Sequence, residues 1–142
     1  MKNFFKGIVV KILIFESKIL LRRHNPIIIA ITGSVGKTSM KDAIYSILKK
    51  HYPTRKSEKS FNSDIGVPLT VLGLPNAWNN PFLWFKNIVD GFFIALFSKN
   101  YPQYLILETG IDRPGDMSKL TDWMKPDYVV LTRFPDVPVH VE

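Results

Sequence analysis

Residues 27–39 read Ile-Ile-Ile-Ala-Ile-Thr-Gly-Ser-Val-Gly-Lys-Thr-Ser, an apolar run that enters a glycine loop. The apolar run predicts a buried strand, and a helix is predicted from Lys37 to about Lys50 because apolar residues recur there at helical spacing. Those apolar residues are Met40, Ala43, Ile44, Ile47 and Leu48. A strand, a glycine turn and a helix start in this order form a loop whose backbone N–H groups can hold phosphate.

The loop residues have separable candidate roles. Gly33 and Gly36 let consecutive backbone N–H groups converge on an anion, Lys37 can reach the β- and γ-phosphates, and the Thr38 hydroxyl can hold Mg²⁺. The predicted nucleotide-binding residues are Thr32, Gly33, Ser34, Val35, Gly36, Lys37, Thr38 and Ser39. The pattern G-x-x-x-x-G-K-[ST] lacks its first glycine, because Ile31 stands there. An ordinary glycine turn before a helical lysine is therefore the alternative interpretation.

Composition narrows the class of protein. The chain has 142 residues, of which 46% are hydrophobic, and this predicts one α/β domain with its own core. The absence of cysteine excludes a disulfide framework and a thiolate metal site, and it fits a reducing compartment. A net charge of +7 favours anionic partners: nucleotides, nucleic acid or an acidic membrane surface. A solvated basic face would account for the same charge.

Two apolar segments lie on either side of the loop and its helix. Residues 1–25 predict an amphipathic helix with a basic edge, which either packs on the domain or lies in a membrane interface. The apolar runs are too short to span a bilayer, and Lys11 interrupts the apolar region that a signal peptide needs. Residues 82–97 carry only Lys86 and Asp90 as charges, and this predicts a helix with an exposed apolar face, suited to lipid or a partner.

Further strands and polar groups follow from local patterns. Tyr104–Leu107 predicts a buried strand, and Glu108 at its carboxyl end is a candidate Mg²⁺ ligand, because open α/β sheets hold ligands at that edge. Asn62, ahead of a helix with Pro68 in its first turn, either caps that helix or binds Mg²⁺ or its waters. We also predict a short strand at residues 52–54, a polar connector at 55–60, a helix at 116–124 and a strand at 127–132.

The order of these features resembles the central ATP-binding domain of the Mur ligase family. The resemblance rests on Thr32–Ser39, Asn62–Thr70, Leu107–Gly110 and Pro126–Thr132 with His140. It is closest to the branch that adds D-alanyl-D-alanine to UDP-N-acetylmuramoyl-tripeptide in peptidoglycan synthesis. It implies an α/β, P-loop NTPase-like fold with a mainly parallel sheet flanked by helices. By this resemblance the central domain covers residues 26–142 and is truncated at its C-terminal end.

The family's chemistry is implied by the same resemblance. It is ATP-dependent amide-bond formation, in which a substrate carboxylate attacks the γ-phosphate and an amine then displaces phosphate from the acyl phosphate. ATP and Mg²⁺ are the implied cofactors. The resemblance implies that Gly33, Gly36 and Lys37 bind phosphate and that Thr38 and Glu108 bind Mg²⁺. It places His140 at a second Mg²⁺ and Asn62 close to the nucleotide and the metal. The implied catalytic residues are Lys37, Glu108 and His140.

The chain departs from the family pattern. Only about 25 residues precede the first strand, whereas such ligases carry a UDP-sugar domain there, and Arg133 stands where asparagine is expected. We therefore predict a cytoplasmic fragment, at most peripheral at the inner membrane face, that binds MgATP without completing ligation. UDP-muramoyl peptide and D-Ala-D-Ala are partners only if the chain continues. The alternative is a non-catalytic P-loop nucleotide-binding module docked at a membrane surface; nucleic acid is not an expected partner.

Overall fold

The computed structural model describes residues 2–58, 64–110 and 116–133. Helices and strands alternate through much of this part of the chain. Their bounds, in order, are α1 (Lys2–His24), β1 (Ile27–Thr32), α2 (Lys37–Leu48), β2 (Thr54–Lys56), α3 (Gly66–Leu72), α4 (Pro81–Phe97), β3 (Tyr104–Glu108), α5 (Asp116–Thr121) and β4 (Tyr128–Leu131).

The strands form one parallel sheet in the order β2-β3-β1-β4. Ile31 of β1 lies opposite Glu108 of β3, and Thr32 lies opposite Leu131 of β4. The carboxyl ends of these three strands therefore meet at one edge of the sheet, where the glycine loop begins. The predicted α/β architecture with a parallel sheet and flanking helices is confirmed.

The central strands are buried because helices cover both faces of the sheet. Side chains alternate between faces along a strand. On one face Ile29, Ile31 and Ile106 pack against α2. On the other, the core contains residues from β1, β3, α1 and α3, namely Ile28, Leu105, Leu107, Leu13, Leu20, Leu69 and Leu72. This second layer forms the larger part of the core.

Helix α1 packs on α3 and α4, so the first alternative for residues 1–24, a helix docked on the domain, is what the structure shows. The Ser17 hydroxyl donates a hydrogen bond of 3.4 Å to the Pro68 carbonyl, and the Arg23 guanidinium donates to the Leu96 carbonyl. Phe15 faces outward and is exposed. Across the described ranges, no helix combines the length and apolar character needed to cross a membrane.

Helix α4 has a defined start and one buried side. The Asn80 side-chain oxygen accepts hydrogen bonds from the N–H groups of Phe82 (3.0 Å) and Leu83 (3.2 Å), which is the usual role of an N-cap asparagine. The buried positions recur every four residues, at Asn87, Gly91 and Ala95. Trp84, Ile88 and Ile94 are partly buried against the core, and the outer side of the helix leaves large apolar side chains exposed, as predicted for residues 82–97.

Two sequence-based boundaries were wrong. The short strand predicted at residues 52–54 begins at Thr54 and includes Arg55 and Lys56, which were assigned to a connector. An edge strand tolerates long cationic side chains, because their charged ends can reach partners beyond the sheet. The Arg55 guanidinium donates to the Val71 carbonyl at 2.7 Å. The helix predicted for 116–124 ends at Thr121, and Met124 is then fully buried beyond a turn.

Candidate functional site

The loop between β1 and α2 depends on its two glycines. Gly33 has a φ of 134° and Gly36 a φ of 87°, a region that residues with a Cβ rarely adopt. A Cβ at Gly33 would lie 2.1 Å from the Thr132 hydroxyl oxygen. At Gly36 there is open space, so only the backbone conformation requires glycine. The loop geometry is therefore set by glycine at both positions, for different reasons.

Helix α2 begins directly after this loop, with Gly36 as its N-cap residue. Glycine has no side chain to cap the first-turn N–H groups, and the first turn carries no acidic residue. The N-terminus of a helix bears partial positive charge and outward N–H donors. The start of α2 thus favours an anion such as phosphate.

The Lys37 side chain folds back over the loop toward Gly33. Its Nζ donates a hydrogen bond of 2.5 Å to the Gly33 carbonyl, which is four residues earlier. The ammonium is therefore held within the loop rather than extended into solvent. A phosphate entering the loop would offer this ammonium a stronger acceptor, since hydrogen bonds between ionised partners exceed those to neutral carbonyls.

The end of β4 pairs with the loop. The N–H groups of Ser34 and Val35 donate to the Arg133 carbonyl at 3.1 and 3.4 Å, in an isolated antiparallel bridge. The Thr132 N–H and hydroxyl both donate to the Thr32 carbonyl, at 2.8 and 3.1 Å. Two of the N–H groups predicted to hold phosphate are thus occupied by a protein acceptor in this structure.

The two ends of the predicted nucleotide-binding stretch differ in burial. Thr32 is fully buried, and its hydroxyl has no hydrogen-bond partner among the residues that the structure describes. Ser39, in the first turn of α2, is exposed. The stretch therefore runs from the core of the sheet to the surface, and the loop itself lies in between.

Glu108 lies at the carboxyl end of β3, beside the first turn of α2. The Thr38 hydroxyl donates to its two carboxylate oxygens at 3.1 and 3.2 Å. The Lys41 ammonium lies 3.0 Å from Oε2, and the Glu108 N–H donates to the Ser57 hydroxyl at 3.1 Å. The carboxylate is thus fixed by a lysine and a threonine that both belong to α2.

Lys41 was missed by the sequence analysis. The apolar spacing predicted only a helix, and within that helix Lys41 is 2% exposed whereas Met40 and Ile47 face outward. The signal that could have found it is the spacing of four from Lys37, which places both lysines on one side of the helix. A buried lysine needs an ionised partner, and Glu108 supplies it.

The residues at this edge suit a magnesium ion. The Thr38 hydroxyl and the Glu108 carboxylate provide the oxygen ligands that Mg²⁺ prefers, and Mg²⁺ usually takes its remaining ligands from phosphate and water. Within the described ranges, no group of three or more His, Asp or Glu side chains is placed to hold a metal ion. The predicted site residues Asn62 and His140 lie outside the described residues.

The structure thus brings Gly33, Gly36, Lys37, Thr38 and Glu108 to one edge of the sheet. A glycine loop between a buried parallel strand and a helix, facing an acidic strand end, defines a P-loop-type α/β domain.

Comparison with known proteins places this domain in a family. The model of the Mur ligase middle domain matches residues 31–82. The UDP-N-acetylmuramoyl-tripeptide–D-alanyl-D-alanine ligase of Borreliella burgdorferi is 34% identical over 124 residues, which are 87% of this chain and 22% of that protein. The Bacillus subtilis enzyme of the same name is 29% identical over 116 residues, 82% of this chain and 20% of that protein. The chain therefore belongs to the Mur ligase family.

Solved structures agree on the fold. The MurF ligase from Thermotoga maritima in complex with ADP superimposes with a TM-score of 0.60 at 24% identity, over 86% of this chain and 23% of that one. MurF from Acinetobacter baumannii gives a TM-score of 0.58 at 21% identity, over 87% of this chain and 21% of that one. The present chain spans about a fifth of the length of the relatives that it matches.

Proposed function

We propose that this chain is the ATP-binding portion of a Mur-type ligase that acts in the synthesis of peptidoglycan precursors. The observation that carries the proposal is the contact between Thr38 and Glu108, beside the loop that ends in Lys37. It joins the phosphate loop to an acidic strand end. The family match over residues 31–82 supports it independently.

In this proposal the chain's own residues bind and orient the triphosphate. Lys37 exchanges the Gly33 carbonyl for a phosphate oxygen, and the N-terminus of α2 adds partial positive charge. Thr38 and Glu108 would hold Mg²⁺, while Lys41 keeps the carboxylate in position. When bound, the cation offsets the repulsion between an attacking carboxylate and the polyanionic triphosphate.

The proposed reaction has two steps. A substrate carboxylate attacks the γ-phosphorus, so that an acyl phosphate forms and ADP leaves; an amine then attacks the carbonyl carbon and phosphate leaves with the formation of an amide. We propose that this chain alone binds MgATP but does not complete the ligation. UDP-muramoyl peptide and D-Ala-D-Ala would be substrates of a longer, cytoplasmic polypeptide, in which Asn62 and His140 contribute as predicted.

Calorimetric titration with MgADP and MgATP tests the loop assignment. We expect Lys37→Ala to lose at least about tenfold in affinity, or about 1.4 kcal/mol, because the ammonium contacts ligand rather than core. Lys50→Ala is the matched control, since Lys50 is an exposed lysine just after the other end of α2. Unchanged affinity in Lys37→Ala would show that the nucleotide binds elsewhere. Steady ADP production by this chain with a peptide acceptor would overturn the proposed incompleteness.

A second candidate function is a non-catalytic nucleotide-binding module at a membrane surface. The observation that favours it is the exposed apolar side of α4, on a part of the fold separate from the loop. Flotation with anionic vesicles tests this second function, because docking at a membrane surface predicts binding that weakens as salt is added.

A further inference from the structure

Helix α4 exposes an apolar stripe along its length, and only Lys86, which pairs with Asp90, adds an exposed charge to the same face. The exposed side chains recur at spacings of three and four residues, which places them on one face of a helix. The stripe consists of Phe82, Phe85, Val89, Phe92, Phe93, Leu96 and Phe97. Phe82 is 84% exposed and Phe85 is 70% exposed, so the stripe begins at the first turn.

The stripe is large for a protein of this size. At about 200 Å² for a phenylalanine side chain, its five phenylalanines leave roughly 600 Å² exposed, given their exposed fractions. The largest patch on an ordinary monomer is about 300–600 Å², and patches of that size often mark a binding surface. Trp78 extends the surface beyond the start of α4: it is exposed, and its carbonyl accepts a hydrogen bond of 2.9 Å from the Trp84 indole.

The stripe is held in one orientation. On the opposite side of α4, the Asn87 amide donates to the Pro75 carbonyl at 2.8 Å. Gly91 lies so close to α1 that a Cβ there would meet the Glu16 carboxyl oxygen at 2.2 Å. Because the inner side of the helix is fixed in this way, the outer side cannot turn inward to bury its phenylalanines.

The charges around the stripe are mostly positive. Arg23, in the last turn of α1, donates to the Leu96 carbonyl, so this cationic group lies at the C-terminal end of the stripe. Lys99 follows two residues after α4. The carboxyl groups of α1 and α4 are Glu16, which is buried, and Asp90, which pairs with Lys86.

We propose that the α4 stripe docks on an anionic lipid bilayer surface. Its phenylalanines would enter the boundary between headgroups and acyl chains, while Arg23 and Lys99 contact lipid phosphates, as in interfacial amphipathic helices. The helix lies in the interface and does not span the bilayer. A second copy of this chain fits less well, because its α1 and α4 offer these cations no unpaired exposed carboxylate: Glu16 is buried and Asp90 pairs with Lys86.

Vesicle flotation of the 142-residue chain tests the docking surface. We expect the chain to float with phosphatidylglycerol–phosphatidylcholine vesicles and to bind at least tenfold more weakly to phosphatidylcholine alone. The double variant Phe85→Ser/Phe93→Ser should lose at least tenfold in vesicle affinity. Ile47→Ser is the matched control, because Ile47 is an equally exposed apolar residue on α2. Circular dichroism checks that each variant keeps its secondary structure, and MgADP titration checks that its glycine loop still binds nucleotide.

The cationic contribution has its own variants. Lys99→Gln should weaken binding and flatten its dependence on salt, whereas Lys50→Gln just after the end of α2 should change neither. Absence of flotation by the wild-type chain would overturn the proposal. So would vesicle binding that survives Phe85→Ser/Phe93→Ser, or a dimer in light scattering that this double variant dissolves while no vesicle binding is seen.

Discussion

Glu16 offers the sharpest prediction about stability, because it is a buried carboxyl between two helices. Its side chain is 3% exposed, and Oε2 has no hydrogen-bond partner among the described residues. Burial disfavours the ionised form and raises the pKa of Glu16 from its ordinary 4.5 to about 7. The substitution Glu16→Gln replaces this carboxyl by a neutral group of the same shape.

The sign and the size of the effect follow from proton linkage. In the unfolded chain Glu16 loses its proton near pH 4.5, whereas the folded state retains it to about pH 7. The folded state therefore binds more protons across this window, and its stability falls as the pH rises. At 1.36 kcal/mol for each pH unit, a pKa of about 7 against 4.5 sets an upper bound of about 3 kcal/mol, and solvent screening reduces the expected effect to on the order of 2 kcal/mol.

Urea unfolding at a series of pH values from 4 to 8.5 measures this difference. Near pH 4 the wild type and Glu16→Gln should have similar free energies of unfolding, and by pH 8 the variant should be more stable by on the order of 2 kcal/mol. Asp90→Asn is the control, since Asp90 lies on the solvent side of α4 in an exposed ion pair with Lys86. A variant that is less stable than wild type at pH 8 would refute the reasoning, because it would mean that the folded protein stabilises ionised Glu16.

Three further substitutions test the loop, the buried pair and the core. Gly33→Ala should destabilise the fold by on the order of 2 kcal/mol in thermal unfolding and abolish MgADP binding, because the new Cβ would collide with Thr132. Lys41→Met should cost about 3 kcal/mol in urea unfolding, since it leaves the Glu108 carboxylate without its cation; a loss below about 1 kcal/mol would contradict the buried pair. Leu105→Ala should cost about 2–5 kcal/mol in the same assay, because Leu105 is fully buried at the centre of the sheet.

The parts of the fold that could be predicted are those with a local signal. The apolar run before Gly33 gives β1 directly, because a buried parallel strand is apolar on both faces. Strand β3 with Glu108 at its end follows from the same logic. Strand β2 could not be found in this way: Arg55 and Lys56 are not typical strand residues, and they are extended because they pair with β3, about fifty residues later.

The candidate site also contains residues that a local sequence pattern predicts and residues whose placement depends on distant contacts. Lys37, Thr38 and Glu108 follow from the loop pattern and from the rule about strand ends, and the structure brings them together. Burial of Lys41 depends on which side of α2 meets the sheet, and apolar spacing alone does not show it: Ile44 and Leu48 pack on the core, whereas Met40 and Ile47 face outward. The pairing of Ser34 with Arg133 joins residues that are far apart in sequence, so no local pattern could show it. The roles of Asn62 and His140 stay predictions.

The bridge between the loop and Arg133 makes two acceptors compete for the same donors. A phosphate that takes the Ser34 and Val35 N–H groups must displace the Arg133 carbonyl, because one N–H cannot fully serve both. Nucleotide affinity and the position of the chain after β4 are then thermodynamically coupled, and the coupling is reciprocal. Formation of the bridge at Arg133 weakens phosphate binding by a certain factor. Bound phosphate weakens the bridge by the same factor. Binding of nucleotide at the P-loop would therefore change the position of Arg133.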